Sequence, residues 1–447
     1  MLPLHTLASL SIKQQRTTNN KRENKRRTLY RLDEMIHDNG TTTSCCTEGP
    51  PPSASYVIQQ QQPTSTTLPE EQQQRQQQEQ QPQPQQQSSS LSRWYPHFKG
   101  RPLYRGNQEA LGWAFDVGAR SIQFIGAGAF LSTALLRLAT EAAGCDVDSE
   151  EEEECTNTVY GIRPSSLLTT YTMVVGVASS AMLPLLGAIV DYTSHRLLVG
   201  RIFSVLYTIC ILPTIFLNSN TWFGVAIVQV VVSFLGWAQT SVTYAYLPEL
   251  TNDEILLGQW TMSFTIIQFV SMVVYLATII GSVSLAGKGD DDVLTSQVAM
   301  AVAFVINATI LPIAWCKLFQ RRQPLHQLPA NRSLWTIGFI QLWQTSKHIV
   351  NNYRALKWFY IAVAFSDAGI QALATVAITY LTDQLQFTAR ENGFAILLML
   401  CGSIPGAVVS NFCSRKFDPI KSSMSSLVLL IVATAFFAAF TTGPDQY

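Results

Sequence analysis

The sequence is poor in charge and lacks the motifs of several common functional classes. Charged residues make up 13% of the 447 residues, and 30 basic residues balance 30 acidic ones, so no net charge favours nucleic acid as a partner. No G-x-x-x-x-G-K-[ST] motif is present, which argues against a P-loop ATP site. Neither an H-E-x-x-H motif nor paired C-x-x-C motifs occur, so we expect no metal site, no cofactor and no enzymatic chemistry.

Apolar residues reach 47% of the chain, and from about Leu111 onward they recur in stretches of about twenty. Each stretch is long enough to cross roughly 30 Å of hydrocarbon as a helix, the form in which backbone groups pair within their own segment. We predict nine spans, at residues 113–137, 167–190, 197–217, 222–247, 260–285, 294–318, 357–381, 392–413 and 423–441. The sequence therefore predicts an all-α, multi-pass protein of the lipid bilayer.

The first 108 residues predict a disordered cytoplasmic extension. Residues 1–32 carry eight basic residues and one acidic residue without helical periodicity, and residues 59–87 are mostly glutamine with four prolines. Such a composition cannot bury enough apolar surface to offset its conformational entropy. The basic stretch is either an attachment to an anionic leaflet, a sorting signal or a solvated arm. No apolar core of a secretory signal peptide precedes residue 100, so we expect the first span to direct targeting.

The distribution of lysine and arginine predicts the orientation of the spans. The loop between spans six and seven contains seven basic residues from Lys317 to Lys357 and no acidic residue, which places it in the cytoplasm. Counting outward puts the N-terminus and the loops with Arg196 and Arg415 on the same side. The acidic loop at residues 141–160, which has no lysine or arginine, falls opposite. The two ends of each span are called cytoplasmic and non-cytoplasmic according to this prediction.

The cysteines fall into two groups in the membrane part. Cys145 and Cys155 share the acidic loop and either form a disulfide, if that compartment is oxidising, or remain free thiols. Four others lie in or at spans, where we expect them to pack as small apolar residues: Cys210, Cys316, Cys401 and Cys413.

Four regions follow from these patterns. They are the extension at 1–108, a six-helix half at 109–319, a cytoplasmic linker at 320–354 and a partial second half of three helices at 355–447. Within the linker, the apolar run from Leu334 to Trp343 is about half the spanning length and predicts an interfacial helix anchored by Trp335 and Trp343. Because the second half has only three spans, we expect the sequence to be incomplete and to lack the last three helices.

Two stretches six spans apart repeat each other. Residues 187–196 align without gaps to residues 406–415, and at the same offset Asp-Val-Gly at 116–118 resembles Asp-Ala-Gly at 367–369. Chance similarity among apolar helices is the alternative, although two matches at one offset argue against it. Two six-helix halves related by an axis along the membrane normal are the arrangement of the major facilitator fold.

The chain resembles a major facilitator transporter. Gly187, Asp191 and Arg196 fit that superfamily's G-x-x-x-D-x-x-x-[RK]-[RK] signature, with His195 in place of the first basic residue. The resemblance implies a cytoplasmic gate built from these four residues and, in the second half, Arg415. In such a gate the glycine lets two helices approach closely, while the aspartate and the basic pair form charge contacts that hold the cytoplasmic side shut.

Three stretches resemble the autophagy-related vacuole effluxer family. They are GWAFD at 112–116, YAYLPE at 244–249 and DAG at 367–369, similar to that family's GWxxYDxAN, NxYLPE and NDG patterns. The sequence departs from the patterns at Gly118-Ala119, where Ala-Asn is expected, and at Ser366, where asparagine is expected. The resemblance covers about residues 110–440 and implies efflux of amino acids from a vacuolar or lysosome-like compartment into the cytosol.

Polar residues within the spans are candidates for a substrate or proton cavity. Asp116 and Arg120 lie four positions apart and can pair on one helix face, either in the cavity or at the interface. Asp367, near the bilayer midplane, is predicted to accept a proton or a substrate ammonium group. The remaining candidates are Gln123, Gln371 and a stripe along span four that lines the cavity or packs against a neighbouring helix: Gln229, Ser233, Gly236, Thr240 and Thr243.

These residues predict a secondary transporter working by alternating access. Its partners are a small-molecule solute, with the proton as a candidate coupling ion, and the bilayer of a vacuolar or lysosome-like membrane. Two alternatives remain. One is a non-transporting membrane scaffold or sensor that recruits partners through the Gln-rich extension, and the other is a transporter of sugars or organic anions.

Overall fold

The computed structural model describes residues 106–145, 157–251, 253–287, 291–324, 333–383, 385–417 and 419–440. The predicted disordered extension lies outside these ranges. Within them the chain is helical and contains no strand, apart from an isolated bridge between Val159 and Ile162. The predicted all-α fold is thereby confirmed.

The helices follow the predicted spans. In order they are Gln108–Gly126 and Ser132–Ala142, joined by the π-helical turn Ala127–Leu131, then Leu167–Tyr192, Arg196–Ile211, Trp222–Tyr246, Glu254–Leu285, and Asp292–Ile313 with a second π segment at Ala314–Leu318. A linker helix, Leu334–Asn352, precedes Arg354–Asp383, Ala389–Lys416 and Pro419–Phe440. Eight spans of the described chain are long and apolar enough to cross a membrane. For the predicted ninth span, the described apolar part is the shorter Lys421–Phe436.

Span one lies at the centre of the first half. In its most apolar window 78% of the residues are buried, whereas the corresponding window of span seven has none. Glycine permits close packing at three of its positions. A Cβ at Gly112 would lie 2.9 Å from Cβ of Leu318, one at Gly118 would lie 3.2 Å from Oγ of Ser271, and one at Gly126 would lie 2.5 Å from Oη of Tyr275. Small residues that bring helix backbones together are a main source of packing in membranes.

The linker helix is longer than the predicted interfacial segment. It begins after Ser333, whose side chain accepts a hydrogen bond from the backbone N–H of Trp335, and it packs on span two. Gly338 sits so close to the carbonyl of Pro184 that a side chain would collide with it. Trp335 and Trp343 are exposed on the protein surface. Their role as anchors at the membrane interface stays a prediction.

The cysteines divide as the sequence suggests. Cys145 is disulfide-bonded, which favours the oxidised alternative, and its predicted partner Cys155 lies outside the described residues. The four cysteines of the spans are free. Cys210 and Cys413 are partly buried as expected, but Cys316 and Cys401 are exposed on the surface of the bundle.

The two glycines of the Gly126-Ala-Gly128 turn differ in their surroundings, which predicts opposite effects of the same substitution. A Cβ at Gly126 would meet Tyr275 and Met300, whereas no described atom lies within 4 Å of one at Gly128. We expect Gly126→Ala to lower the free energy of unfolding by about 1–3 kcal/mol through overpacking. Gly128→Ala should leave it unchanged or slightly raised, because alanine favours the helix. Thermal unfolding in detergent measures both, and equal effects would contradict the packing seen here.

Candidate functional site

Asp116 occupies the cytoplasmic half of span one and is fully buried. The helix begins at Gln108 because the side chain of Asn107 accepts hydrogen bonds from the N–H groups of Glu109 and Ala110. Asp116 follows within the next turns, on the face turned toward spans four and six, and its side chain is 0% exposed. A charge in such a place needs partners, since an isolated buried carboxylate carries a large desolvation penalty.

Five hydrogen bonds converge on the Asp116 carboxylate. Its Oδ2 accepts from Nε and a terminal nitrogen of Arg120, at 2.9 and 2.7 Å, and from the Thr243 hydroxyl at 2.9 Å. Its Oδ1 accepts from Nε2 of Gln239 at 3.1 Å and from Nε1 of Trp315 at 2.8 Å. The predicted pairing of Asp116 with Arg120 is therefore confirmed, and three donors from spans four and six complete the shell.

The polar stripe of span four serves several local contacts. Thr240 accepts a hydrogen bond from Arg120, and Thr243 binds Asp116, so this end of the stripe belongs to the charged cluster. Further along, Gln229 donates to the hydroxyl of Ser233 at 3.3 Å. Gly236 lies against span three, where a Cβ in its place would be 3.3 Å from the ring of Tyr207.

Trp315 reaches Asp116 because two local features make room for it. It lies in the π segment Ala314–Leu318, where the altered helical winding re-aims the side chain. Its indole ring fills the space that a side chain at Gly200 of span three would need. The sequence analysis did not identify Trp315, Gly200 and Gln239. No helical periodicity and no motif distinguishes these residues as parts of a site. The cluster thus joins spans one, three, four and six.

Arg196 of the predicted gate is buried, with 1% of its side chain exposed, and its carboxylate partner is Glu249. A terminal nitrogen of Arg196 lies 2.9 Å from Oε1 of Glu249, and its guanidinium carbon lies 5.2 Å from the centre of the Tyr246 ring. The carbonyls of Val190 and Ala245 accept further bonds at 3.4 and 3.3 Å. This anchor ties the start of span three to the end of span four.

A second ion pair extends this contact toward the linker. Arg322 binds Glu109, and its Nε also lies 3.7 Å from Oε2 of Glu249. Partial burial by itself lowers the pKa of Arg322, but the hydrogen bond and charge of Glu109 and the charge of Glu249 raise it above its ordinary value. The gate network, Glu109, Arg196, Tyr246, Glu249 and Arg322, therefore braces the cytoplasmic end of the first half.

The other predicted gate residues are Gly187, Asp191, His195 and Arg415. No described atom lies within 4 Å of a Cβ built at Gly187, so the close approach expected there is not found, and the close contact on span two is at Pro184 instead. His195 is exposed at the start of span three, and Asp191 is half-buried with contacts of its own. Arg415 belongs to the eighth span, but its side chain lies outside the described residues.

The remaining cavity candidates are not part of the Asp116 cluster. Gln123 is buried and directs Nε2 to the sulfur of Met300 at 3.6 Å. Asp367 and Gln371 are half-buried in span seven. Gln371 has a contact of its own, whereas among the described residues we find no hydrogen bond or ion pair of the Asp367 side chain. The structure thus unites Asp116, Arg120 and Thr240 and leaves Asp367 apart from them.

Residues 105–442 match the family model described as vacuole effluxer Atg22 like. The chain belongs to this family. Vacuole effluxers of this type are transporters of the major facilitator kind, so the predicted membership is confirmed. A search of curated proteins finds no match to the chain.

Two neighbouring residues of the predicted gate signature, Arg196 and His195, should differ in their effect on stability. Arg196→Ala leaves Glu249 without its closest cation and removes a buried hydrogen-bonding group, so we expect a loss of about 2–4 kcal/mol. His195→Ala changes an exposed side chain and should alter the free energy of unfolding by less than about 0.5 kcal/mol. Thermal unfolding of the two variants in detergent compares them. A similar effect of both would argue against the buried anchor.

Replacement of the indole donors Trp315 and Trp113 tests the Asp116 cluster. Trp315→Phe removes a hydrogen bond to an ionised group, so we expect it to cost about 1.5–3 kcal/mol. Trp113→Phe, the matched control, removes an indole bond to the Thr243 carbonyl, which is neutral and should cost about 0.5–1.5 kcal/mol. Denaturation followed by circular dichroism measures the difference. A larger loss in Trp113→Phe would show that Asp116 does not depend on the Trp315 donor.

Proposed function

We propose that the chain is a secondary transporter that works by alternating access and releases amino acids from a vacuole-like compartment into the cytosol. The match to the vacuole effluxer family supports efflux from such a compartment. The lack of a P-loop motif in the sequence supports a solute or ion gradient, not ATP, as the driving force. An amino acid carries one ammonium and one carboxylate group, so its site needs one group of each charge.

The contrast between Asp116 and Asp367 supports the amino-acid class. Asp116 already accepts five hydrogen bonds and is fully buried, so it has little remaining capacity for a ligand. Asp367 is half-buried and has no such partner among the described residues. An ionisable residue inside a span is a functional group by default. We therefore assign the solute ammonium group to Asp367, which is also the candidate proton acceptor.

Arg120 is the candidate for the solute carboxylate. Asp116 engages Nε and one terminal nitrogen, the other terminal nitrogen donates to Thr240, and the side chain is 11% exposed. A guanidinium has five N–H donors in a planar fork, so Arg120 keeps donors for a carboxylate after these bonds are made. In this assignment Asp116 is a positioning residue that holds Arg120 charged and oriented. Gln123, three residues further along the same helix, has a buried Oε1 that lacks a described partner and is a further polar candidate.

The gate network supports the rigid-body element that alternating access requires. It links spans one, three and four to the segment after span six by three ion pairs, so the cytoplasmic end of the first half is held as a unit. Rocking of one half against another depends on such internally braced bodies. Arg415 is the candidate counterpart of Arg196 in the second half.

Flux in liposomes tests the assignment. Full-length protein is reconstituted with labelled leucine or lysine inside, with and without a proton gradient, and with sugars and organic anions as competitors. We expect Asp367→Asn and Arg120→Gln to lower leucine flux at least about tenfold, the equivalent of one lost charge-assisted contact. Asp253→Asn, in an exposed loop, is the matched control and should retain flux.

The same assay separates the alternatives. A transporter keeps its flux after deletion of residues 1–100, whereas a scaffold or sensor shows no flux in either form. If sugars or organic anions compete for transport and amino acids do not, amino acids are rejected as the substrate class. Unchanged leucine flux in both Asp367→Asn and Arg120→Gln would reject their roles.

A further inference from the structure

At the non-cytoplasmic side, an ion pair between span one and span six contacts the backbone at the start of span eight. Asp292, the first residue of the span-six helix, is buried, and its Oδ1 accepts a hydrogen bond from the backbone N–H of Ala389 at 2.6 Å. Its Oδ2 lies 2.8 Å from a terminal nitrogen of Arg137 near the end of span one. Ala389 is the first residue of the span-eight helix and is fully buried. A carboxylate at a helix N-terminus is favourable because it accepts hydrogen bonds from free N–H groups and is attracted to the positive end of the helix dipole.

Arg137 extends the same contact to the loop before span eight. Its other terminal nitrogen lies 3.3 Å from the carbonyl oxygen of Gln386 and 3.4 Å from that of Phe387. The loop is held in shape for this contact by a capping box, in which Thr388 and Glu391 satisfy each other's backbone N–H groups. One cation and one anion of the first half therefore bind only backbone groups of the second half at this point.

A buried layer lies beneath the ion pair. Nδ2 of Asn392 donates to the hydroxyl oxygens of Thr133 in span one and Thr382 in span seven, at 3.0 and 2.8 Å, and all three side chains are buried. Next to it Gly393 approaches the Phe130 ring so closely that a Cβ would lie 2.8 Å from it. The two halves thus meet here by hydrogen bonds and by direct packing.

We propose that Arg137, Asp292 and the N–H of Ala389, with Thr133 and Asn392 beneath them, form a clasp that closes the non-cytoplasmic face of the transporter. The inference rests on the proposed alternating access, in which contacts on one face must break when the other face closes. Polar contacts suit this role better than an apolar seam, because water satisfies each of these groups once the halves separate. The clasp joins two different halves, whereas the gate network braces one half internally.

Spin-label distances test the clasp directly and need no knowledge of the solute. Nitroxide labels at positions 141 and 390, both exposed at non-cytoplasmic ends, report the separation of span one from span eight in the full-length protein in liposomes. We expect Asp292→Ala to raise the ratio of wide to narrow distances by about tenfold or more, since it removes a charged hydrogen bond and an ion pair. Asp292→Asn keeps the acceptor for Ala389 and should have a smaller effect.

Three further variants make the test decisive. Thr133→Val removes, at nearly constant volume, the one acceptor of Asn392 that belongs to the first half, and Gly393→Ala intrudes on Phe130. Both should widen the distance even if Asp292→Ala fails to fold. Asp291→Asn is the matched control, because the exposed Asp291 caps its own helix at the N–H of Leu294, and loss of its charge only lessens the repulsion on Asp292. The proposal is overturned if Thr133→Val and Asp292→Asn both keep the distances of the unmodified protein, or if Asp291→Asn widens them equally.

The outcome is separable from that of the proposed function. Widened distances in a protein that moves no solute would retain the clasp and reject transport. Normal flux of leucine with unchanged distances in every clasp variant would retain transport and reject the clasp.

Discussion

The structure depends on the buried carboxylate of Asp116 and the donors that surround it. In a span, an isolated charge is costly, and only a full shell of hydrogen bonds makes it tolerable. That shell is drawn from spans one, four and six, and the Trp315 donor is seated in a space provided by Gly200 of span three. The cluster therefore joins four helices, and it also holds Arg120, the group assigned to the solute carboxylate.

Charged residues at the two ends of the bundle make different kinds of contact. At the cytoplasmic end, Arg196 is buried between span three and span four and paired with Glu249, which favours one fixed arrangement of the first half. At the non-cytoplasmic end, Arg137 and Asp292 contact backbone groups of a different half. An internal brace and a breakable contact are the two elements that a rocking transporter requires. The pattern supports a first half that moves as one body.

Sequence reasoning identified contacts that are close along the chain and missed those that are distant. The pairing of Asp116 with Arg120 follows from a spacing of four on a helix, and the stripe containing Thr240 and Thr243 follows from helical periodicity. Trp315 lies 199 positions from Asp116, and Asn392 lies 259 positions from Thr133. Helical periodicity relates only residues that are close along the chain, so it cannot predict these two contacts. Glu249 was visible as the last residue of the YAYLPE stretch, but its pairing with Arg196, 53 positions away, was not.

The sequence by itself determined the helical spans, the family and the presence of a few charges within lipid, because hydrophobic length, composition and short motifs are local properties of the chain. Only the tertiary structure decided which charges are satisfied and which remain available. Asp116 and Asp367 occupy matching places in a sequence repeat, yet one is enclosed by five donors and the other has none among the described residues. The physical reason is that a side chain's partners are set by how helices pack, which depends on distant residues such as Gly200 and the π segment that carries Trp315.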